Sequence, residues 1–319
     1  MIAFKEEDSV DKYSVGTCSF TDKALDGAFY PKGIRPAERI TFYAEHFNVV
    51  EVDSSYYALP SERNSYLFAQ RTPADFVFHF KAFGLMTQHR VSVKQLGRSL
   101  GAHLPPDFDE PYVQTPPPEM LRQAFDMFYG ALLPLKLAGK LGLILFQYPP
   151  YFTKNSEHLD YILQCKEWMK DYRLAIEFRH NSWTNEQELA STLEFLRDND
   201  LSYVSVDEPQ FSSGVTVPPV AAATNDTAYI RFHGRNTKNW FRRKITVAER
   251  FDYLYNHEEL AEWTEKIKDL ADEVDQVHVM FNNNMNTYPI ENARDMAAML
   301  GALETKRKVE LIDQPGLGI

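Results

Sequence analysis

The sequence predicts an α/β fold, a single (β/α)8 TIM-type barrel, and three observations lead to this prediction. Eight short runs rich in β-branched and aromatic residues recur along the 319 residues. Most of the stretches between these runs carry a helical pattern with its own start signal. The first run leads into Gly-Thr-Cys-Ser-Phe at Gly16–Phe20, which is not the Gly-rich turn typical of an open nucleotide-binding sheet.

Each of the eight predicted strands ends near polar residues. In chain order they are Tyr13–Thr17, Val49–Asp53, Phe76–Lys81, Leu143–Gln147, Leu174–Phe178, Tyr203–Asp207, Tyr229–Phe232 and Val277–Phe281. Between the first strands, Pro36 stands where a first-turn proline belongs and Ser61 is suited to cap the next helix. Met120–Lys136 has the pattern of a long amphipathic helix. This alternation of strands and helices favours a parallel barrel.

Two stretches depart from a regular eightfold pattern. Residues from about 87 to 119 form a long Pro-rich insertion between the third and fourth predicted strands, and we expect it near the barrel mouth. The segment after Asp207 is irregular, so we expect the sixth helix to be missing. We assign residues 1–319 to one domain, with a polar C-terminal tail from about 304 to 319.

Composition narrows the class of protein. The chain has 34 Lys and Arg against 45 Asp and Glu, and this net charge of −11 argues against indiscriminate nucleic-acid binding. Its two cysteines, Cys18 and Cys165, lie outside any C-x-x-C pattern and fit a reducing compartment. No uninterrupted apolar run is long enough to span a membrane. We therefore expect a cytoplasmic protein with no membrane partner, and the sequence indicates no protein partner.

The strand alternation places charged residues on the inner face of the barrel. Along each predicted strand, large apolar residues occupy every second position, and the face that they form should meet the helices. The alternate positions should point into the barrel. They are occupied by Glu51, Asp53, His79, Lys81, Gln147, Glu177, Arg179, Asp207, Arg231, His233 and Asn282. Because isolated buried charges cost several kcal/mol each, these groups must lie at a wet mouth or pair with one another. The pattern thus predicts either an active site or an ion network that plugs the barrel.

The same residues carry a resemblance to a known family. The sequence resembles the domain-of-unknown-function-72 family, also called YecE-like, in segments that follow the family order from about residue 13 to residue 301. The matching segments are Val15–Phe20, Phe29–Pro31, Val50–Pro60, Thr72–Lys81, Leu141–Pro150, Ala175–Trp183, Tyr229–Arg235 and Val279–Asn284. The resemblance implies a single TIM-type barrel, but it does not assign an activity. Ser19-Phe20 stands where the family has Gly-Trp, and Ala58 stands where an Arg is common.

A basic segment follows the seventh predicted strand. Residues 231–244 read RFHGRNTKNWFRRK and hold Arg231, Arg235, Lys238, Arg242, Arg243 and Lys244. Barrel proteins often bind phosphate groups in this loop, and Trp240 and Phe241 offer faces for stacking. We therefore predict an anion-binding loop. The alternative is a solvated loop that balances nearby acids.

The preferred functional hypothesis is an enzyme that acts on a phosphate-bearing or anionic substrate at the barrel mouth, of the phosphoester-hydrolase or nuclease type. The candidate catalytic residues are Glu51, Glu177, Asp207 and His233. The candidate substrate-binding residues are Asp53, Lys81, Gln147, Arg179, Arg231, Arg235, Trp240, Asn282 and Asn283. Two alternatives stay open: a non-catalytic protein that binds nucleic acid or a phosphorylated metabolite, and a glycoside hydrolase with paired carboxylates.

The sequence gives no local metal-ligand motif, because H-x-x-x-H and D-x-D spacings are absent. We therefore expect no resident cofactor. If a metal ion binds, the ligands that the inferred barrel could supply are His79, Glu177, Asp207 and His233.

Overall fold

The computed structural model describes residues 12–211 and 215–302. Eight parallel strands close into a barrel, so the predicted fold is confirmed. The barrel strands are β1 (Tyr13–Thr17), β2 (Val49–Val52), β3 (Val77–Lys81), β6 (Leu141–Gln147), β7 (Arg173–Glu177), β8 (Ser202–Asp207), β9 (Thr227–Phe232) and β10 (Gln276–Phe281). They pair in the order β1-β10-β9-β8-β7-β6-β3-β2, and β2 pairs with β1 to close the barrel. Each predicted strand is present, and its ends differ from the prediction by at most two residues.

Helices surround the barrel. They are α1 (Arg39–Ala44), α2 (Glu62–Gln70), α3 (Gly97–Gly101), α4 (Pro118–Leu137), α5 (Ser156–Trp168), α6 (Leu189–Asp198), α7 (Val247–Arg250), α8 (His257–Glu273) and α9 (Tyr288–Leu300). Ser61 caps α2 as predicted, since its side chain accepts a hydrogen bond from the amide of Asn64 at 3.2 Å. None of the helices in residues 12–211 and 215–302 is long and apolar enough to cross a membrane.

The predicted insertion between β3 and β6 holds a small antiparallel ribbon. Its strands are β4 (Val91–Ser92) and β5 (Tyr112–Val113), and α3 lies between them. Tyr151, which follows β6, donates a hydrogen bond from its hydroxyl to the carbonyl of Gln88 at 2.8 Å. This contact holds the start of the insertion against the loop at the carboxyl end of β6, which is the mouth of the barrel.

The described part of the sixth βα unit contains no helix, in line with the prediction. Between β8 and β9, the described residues 208–211 and 215–226 form no helix. Side chains hold this connection instead: Glu208 accepts from the amide of Val217 at 2.9 Å, and Gln210 donates to the carbonyl of the same residue at 2.9 Å. The predicted polar tail lies outside the described residues.

One register shift marks the barrel wall. Phe78 pairs with Leu141 and Phe80 pairs with Ile144, so β6 has an extra residue between these two pairs. The imidazole of His79 accepts a hydrogen bond from the amide of Leu143 at 2.9 Å and so satisfies a donor in this irregularity. His79 is fully buried and contributes to the core of the barrel.

Candidate functional site

On most strands the charged side chains point into the barrel, as the alternation predicts. Glu51 stands opposite His79 in the β2–β3 ladder, and Gln147 stands opposite Glu177 in the β6–β7 ladder. Glu51, Glu177 and Arg231 are fully buried inside the barrel, where their side chains meet. The sequence pattern therefore located a real cluster of buried charges.

Arg231 occupies the centre of that cluster. Its guanidinium donates to Glu51 Oε1 at 2.7 Å through Nη2 and to Glu177 Oε2 through Nη1. Burial acts against the charged form, but Glu177 and Glu51 outweigh it and raise the guanidinium pKa well above its ordinary value. Tyr229 donates to the other oxygen of Glu51 at 2.6 Å. Both terminal nitrogens of Arg231 are thus bound by protein carboxylates, its Nε has no hydrogen-bond partner among the described residues, and the residue has no exposed surface for a bound anion.

Glu177 accepts hydrogen bonds from four side chains of the buried cluster and its rim. Its Oε1 accepts from Gln147 Nε2 at 2.5 Å, from Arg179 Nη1 at 3.0 Å and from His233 Nε2 at 3.0 Å. Burial alone would raise the Glu177 pKa, yet Arg231, His233 and Arg179 together hold it well below its ordinary value. Glu177 is therefore a permanent anion that orders its neighbours rather than a group poised to exchange protons near neutral pH.

His233 links Glu177 to Asn282. The side-chain amide of Asn282 donates to His233 Nδ1 at 2.9 Å, so the imidazole proton lies on Nε2, which donates to Glu177. Burial lowers the His233 pKa to about 3, although Glu177 opposes this shift. His233 is therefore neutral at physiological pH. The next residue, Asn283, donates to the carbonyl of Tyr253 at 2.8 Å and is buried away from the cluster.

The inward orientation predicted for Asp207 is wrong. Asp207 stands opposite Phe232 in the β8–β9 ladder, on the face that meets the helices, while Val206 stands opposite the inward Arg231. Its carboxylate accepts from the indole of Trp263 on α8 at 2.7 Å and from the hydroxyl of Tyr255 at 2.8 Å. At the end of β8 the apolar residue therefore faces the barrel interior and the charged residue faces the helices, where these donors satisfy its carboxylate.

Arg235 in the predicted anion-binding loop is also neutralised by protein carboxylates. It donates from Nε to Asp207 Oδ1 at 2.9 Å and from Nη2 to Asp207 Oδ2 at 2.8 Å, and a third contact reaches Glu262 at 3.0 Å. Trp240, by contrast, folds over the mouth and is buried, and the Arg179 guanidinium lies 5.2 Å from the centre of its ring. The basic residues after it, Arg242, Arg243 and Lys244, are exposed.

The four residues that the sequence analysis offers as ligands for a metal ion do not lie close together. His79 binds a backbone amide in the barrel wall and Asp207 faces the helices, so only Glu177 and His233 of the four are in contact. Within residues 12–211 and 215–302, no group of three or more His, Cys, Asp or Glu side chains is arranged to hold a metal ion.

Asp53 and Lys81 differ from the rest of the cluster. They follow the last β2–β3 ladder pair, Val52 and Phe80, so they leave neighbouring strands at the same level of the mouth. Both side chains keep some contact with solvent although protein surrounds them. Burial raises the Asp53 pKa to about 7, against the effect of Lys81, and burial together with Arg231 lowers the Lys81 pKa to about 8.

The sequence analysis missed Glu208. This residue is buried beside the mouth, and its Oε2 lies 3.1 Å from Arg179 Nη2, so Arg179 bridges Glu208 and Glu177. Burial raises the Glu208 pKa above its ordinary value, although Arg179 opposes the shift. The available signal is a charged residue directly after a barrel strand, but the alternation along β8 predicts Asp207, its neighbour, as the inward group.

Known proteins resemble the chain over most of its length. A family model described as "Protein of unknown function DUF72" matches residues 14–315. UPF0759 protein YunF of Bacillus subtilis (strain 168) is 32% identical over 277 residues, which cover 86% of this chain and 90% of that protein.

Solved structures agree with this match. A DUF72 family protein from Thermotoga maritima MSB8 superposes with a TM-score of 0.72 at 30% identity, covering 91% of this chain and 99% of that one. A DUF72 family protein from Enterococcus faecalis V583 gives a TM-score of 0.74 at 27% identity, covering 91% of this chain and 95% of that one. The chain therefore belongs to the DUF72 family.

Proposed function

We propose that the barrel mouth is the active site of an enzyme that acts on a phosphate-bearing or otherwise anionic substrate. In this proposal Asp53 transfers protons and Lys81 meets the anion, with Arg179 at the rim. Hydrolysis of a phosphoester is the first reaction to assay, because a base with a pKa near 7 suits the activation of water.

The observation that supports the proposal is that Asp53 and Lys81 lack ion-pair partners among the described residues and have shifted pKa values. Within residues 12–211 and 215–302, neither side chain has an oppositely charged group within 4.0 Å. Burial has moved the pKa of both groups toward neutrality, to about 7 and about 8. Ionisable groups with shifted pKa values and free polar atoms at the carboxyl ends of barrel strands are typical of barrel active sites.

The residues first favoured for catalysis fit this role less well. Glu51 and Glu177 are fully buried and both accept from Arg231, so they do not present paired carboxylates to a sugar. Asp207 faces the helix layer. We therefore assign the acid–base role to Asp53 and regard Glu51, Glu177 and Arg231 as the rigid floor of the site.

The test compares binding and turnover in matched variants. Inorganic phosphate, sugar phosphates, nucleotides and short oligonucleotides are titrated by calorimetry into wild type, Lys81→Met and Asp53→Asn, and p-nitrophenyl phosphate esters report hydrolysis. The controls are Lys268→Met and Asp269→Asn, which remove the same charges from the exposed face of α8. We expect Lys81→Met to weaken anion binding at least tenfold and Asp53→Asn to bind anions but lose turnover.

Three results would contradict the proposal. Equal losses in Lys81→Met and Lys268→Met would indicate diffuse attraction. Anion binding without turnover of any ester in the wild type would favour the non-catalytic binding protein. Absence of anion binding in the wild type would leave the charged cluster with a structural role alone.

A further inference from the structure

The ammonium group of Lys81 is held in an unusual way for a half-buried lysine. Its Nζ lies 4.6 Å from the centre of the Tyr56 ring, and no carboxylate of the described residues forms an ion pair with it. The neighbouring cations are paired: Arg231 with Glu51 and Glu177, and Arg179 with Glu177 and Glu208. Lys81 is thus the mouth cation whose bonding capacity the described protein leaves unused.

A second lysine shows what a structural role would look like. Lys140 lies just before β6, at the opposite end of the barrel, and is buried. Its Nζ donates to the carbonyl of Ala69 at 2.5 Å and to the carbonyl of Thr72 at 2.7 Å. Lys140 therefore ties two segments together, whereas the Lys81 amine ends at the mouth without such bonds.

The surroundings of Lys81 also favour its neutral form. Burial and the charge of Arg231 lower the Lys81 pKa to about 8, although Glu177, Glu51 and Asp53 oppose the shift. At pH 7 about a tenth of the Lys81 amines are then neutral, on the order of a hundred times more than for an ordinary lysine. A neutral amine beside another cation is a nucleophile, and lysines in such positions attack carbonyl groups.

We propose that Lys81 forms an imine with the carbonyl carbon of an anionic aldehyde or ketone at the barrel mouth. This inference rests on the proposed function, because the anion-binding mouth would deliver the substrate, and it specifies the substrate as a carbonyl compound. Lys81 would then act as a covalent nucleophile.

The step balances with groups present in the protein. The neutral Nζ attacks the carbonyl carbon, a C–N bond forms, and the carbonyl π electrons move to oxygen. A proton passes from nitrogen to that oxygen and gives a carbinolamine. Asp53 donates a proton as the C–O bond breaks, water leaves, and the iminium remains. The Asp53 pKa of about 7 supplies both its acid and its base form near neutral pH.

The surroundings of Lys81 also favour the iminium ion that this step forms. The iminium carries its positive charge on the former Nζ, where the Tyr56 ring already faces the ammonium at 4.6 Å. Glu51, Glu177 and Asp53 all favour a positive charge at this position, since each raises the Lys81 pKa. The site would therefore stabilise the cation without rearrangement of the buried cluster.

The experiment is reductive trapping of the imine. The full chain is incubated with pyridoxal 5′-phosphate, dihydroxyacetone phosphate, glyceraldehyde 3-phosphate or pyruvate, and with uncharged glyceraldehyde for comparison. Each sample is reduced with cyanoborohydride and analysed by intact mass and peptide mapping. We expect one dominant adduct on Lys81, heavier than the protein by the carbonyl compound less one oxygen atom, with at least tenfold preference over Lys268. Lys81→Arg should lose this adduct while it keeps the positive charge, and Asp53→Asn should slow its formation at least threefold.

The outcomes separate this inference from the proposed function. Adducts spread over surface lysines, or an unchanged dominant adduct in Lys81→Arg, overturn the imine. If Lys81→Met weakens phosphate binding but no carbonyl probe is trapped at Lys81, the imine is wrong and the proposed function stands. If Lys81 is trapped by uncharged glyceraldehyde as readily as by glyceraldehyde 3-phosphate, the requirement for an anionic substrate is wrong. Preferential trapping by the phosphate-bearing probe supports both.

Discussion

Two groups of charged side chains lie a few residues apart at the carboxyl end of this barrel, and they differ in whether the protein supplies their hydrogen-bond partners. In the buried cluster of Arg231, Glu51 and Glu177, the carboxylates and the two terminal nitrogens of the guanidinium have hydrogen-bond partners within the protein. The side chains of Asp53 and Lys81, which stand two residues after Glu51 and His79, have no hydrogen-bond partner among the described residues. Charged side chains at this end of the barrel are thus of two kinds. Those with hydrogen-bond partners in the protein support the barrel wall, and those without such partners have polar atoms available to a ligand.

The largest effect should come from breaking the buried cluster. We expect Arg231→Met to lower the free energy of unfolding by about 3–5 kcal/mol, because two buried carboxylates lose their shared partner. Urea denaturation measures this, and Arg122→Met is the control, since its pair with Asp126 is exposed and should contribute less than about 1 kcal/mol. Equal stability of the two variants would show that the cluster does not support the fold.

Acid should weaken the cluster next. The folded-state pKa of His233 is about 3 against an ordinary 6.5, so the unfolded chain binds more protons between these values and stability falls as the pH falls. By pH 5 this single group should remove about 2 kcal/mol of the stability present at pH 7. Urea curves of wild type and His233→Gln at both pH values isolate its contribution. A difference between the two proteins that does not change with pH would contradict the assignment of a neutral imidazole.

Asp53 should behave in the opposite sense. Its folded-state pKa is raised to about 7, so the folded chain binds more protons between pH 4 and pH 7 and stability falls as the pH rises through this window. Asp53→Asn should therefore stabilise the protein by about 1–2 kcal/mol at pH 8 and have little effect at pH 4, a magnitude reduced for the contact of the side chain with solvent. Thermal melting at the two pH values checks this. Destabilisation at pH 8 would mean that the Asp53 carboxylate has a structural partner.

The smallest effect on stability should come from Lys81. Because its ammonium has no ion pair in the described residues and its pKa is lowered, Lys81→Met should change the free energy of unfolding at pH 7 by about 1 kcal/mol or less, toward greater stability. Lys154→Met is the comparison, since Lys154 Nζ donates to Glu188 Oε2 at 2.8 Å and to Ser191 Oγ at 2.6 Å. A larger loss in Lys81→Met than in Lys154→Met, measured by urea denaturation, would place Lys81 with the structural charges.

The strands and the inward charges were predictable because both follow from local pattern. Alternation on β2, β3 and β9 put Glu51, His79 and Arg231 inside, since their neighbours Val50, Phe78 and Ile230 are apolar. On β8 the same reasoning failed, because an acid at a strand end is equally well placed if the helix layer supplies donors. Trp263 and Tyr255 supply them, and both lie about fifty residues downstream of Asp207.

Which charges are satisfied could not be predicted from the sequence. Whether Arg231 binds an anion or two protein carboxylates depends on contacts across the closed barrel. The partners of Glu208 are likewise distant in sequence, namely Arg179 and the amide of Val217. A linear pattern gives the face on which a side chain lies but not the partners that meet it there. The distinction between the buried cluster and the Asp53 and Lys81 pair appears only in three dimensions.

The contacts of Arg231 also bear on how the chain folds. Arg231 and Glu51 are 180 residues apart in sequence, and Arg231 and Glu177 are 54 apart, so the cluster joins β9 to β2 and to β7. A partly assembled barrel would hold one of these charges in an apolar interior without its partner, at a cost of several kcal/mol. Such high contact order favours slow folding and penalises half-barrel intermediates. We therefore expect barrel closure to be cooperative, with near-ultraviolet and far-ultraviolet circular dichroism following a single shared transition.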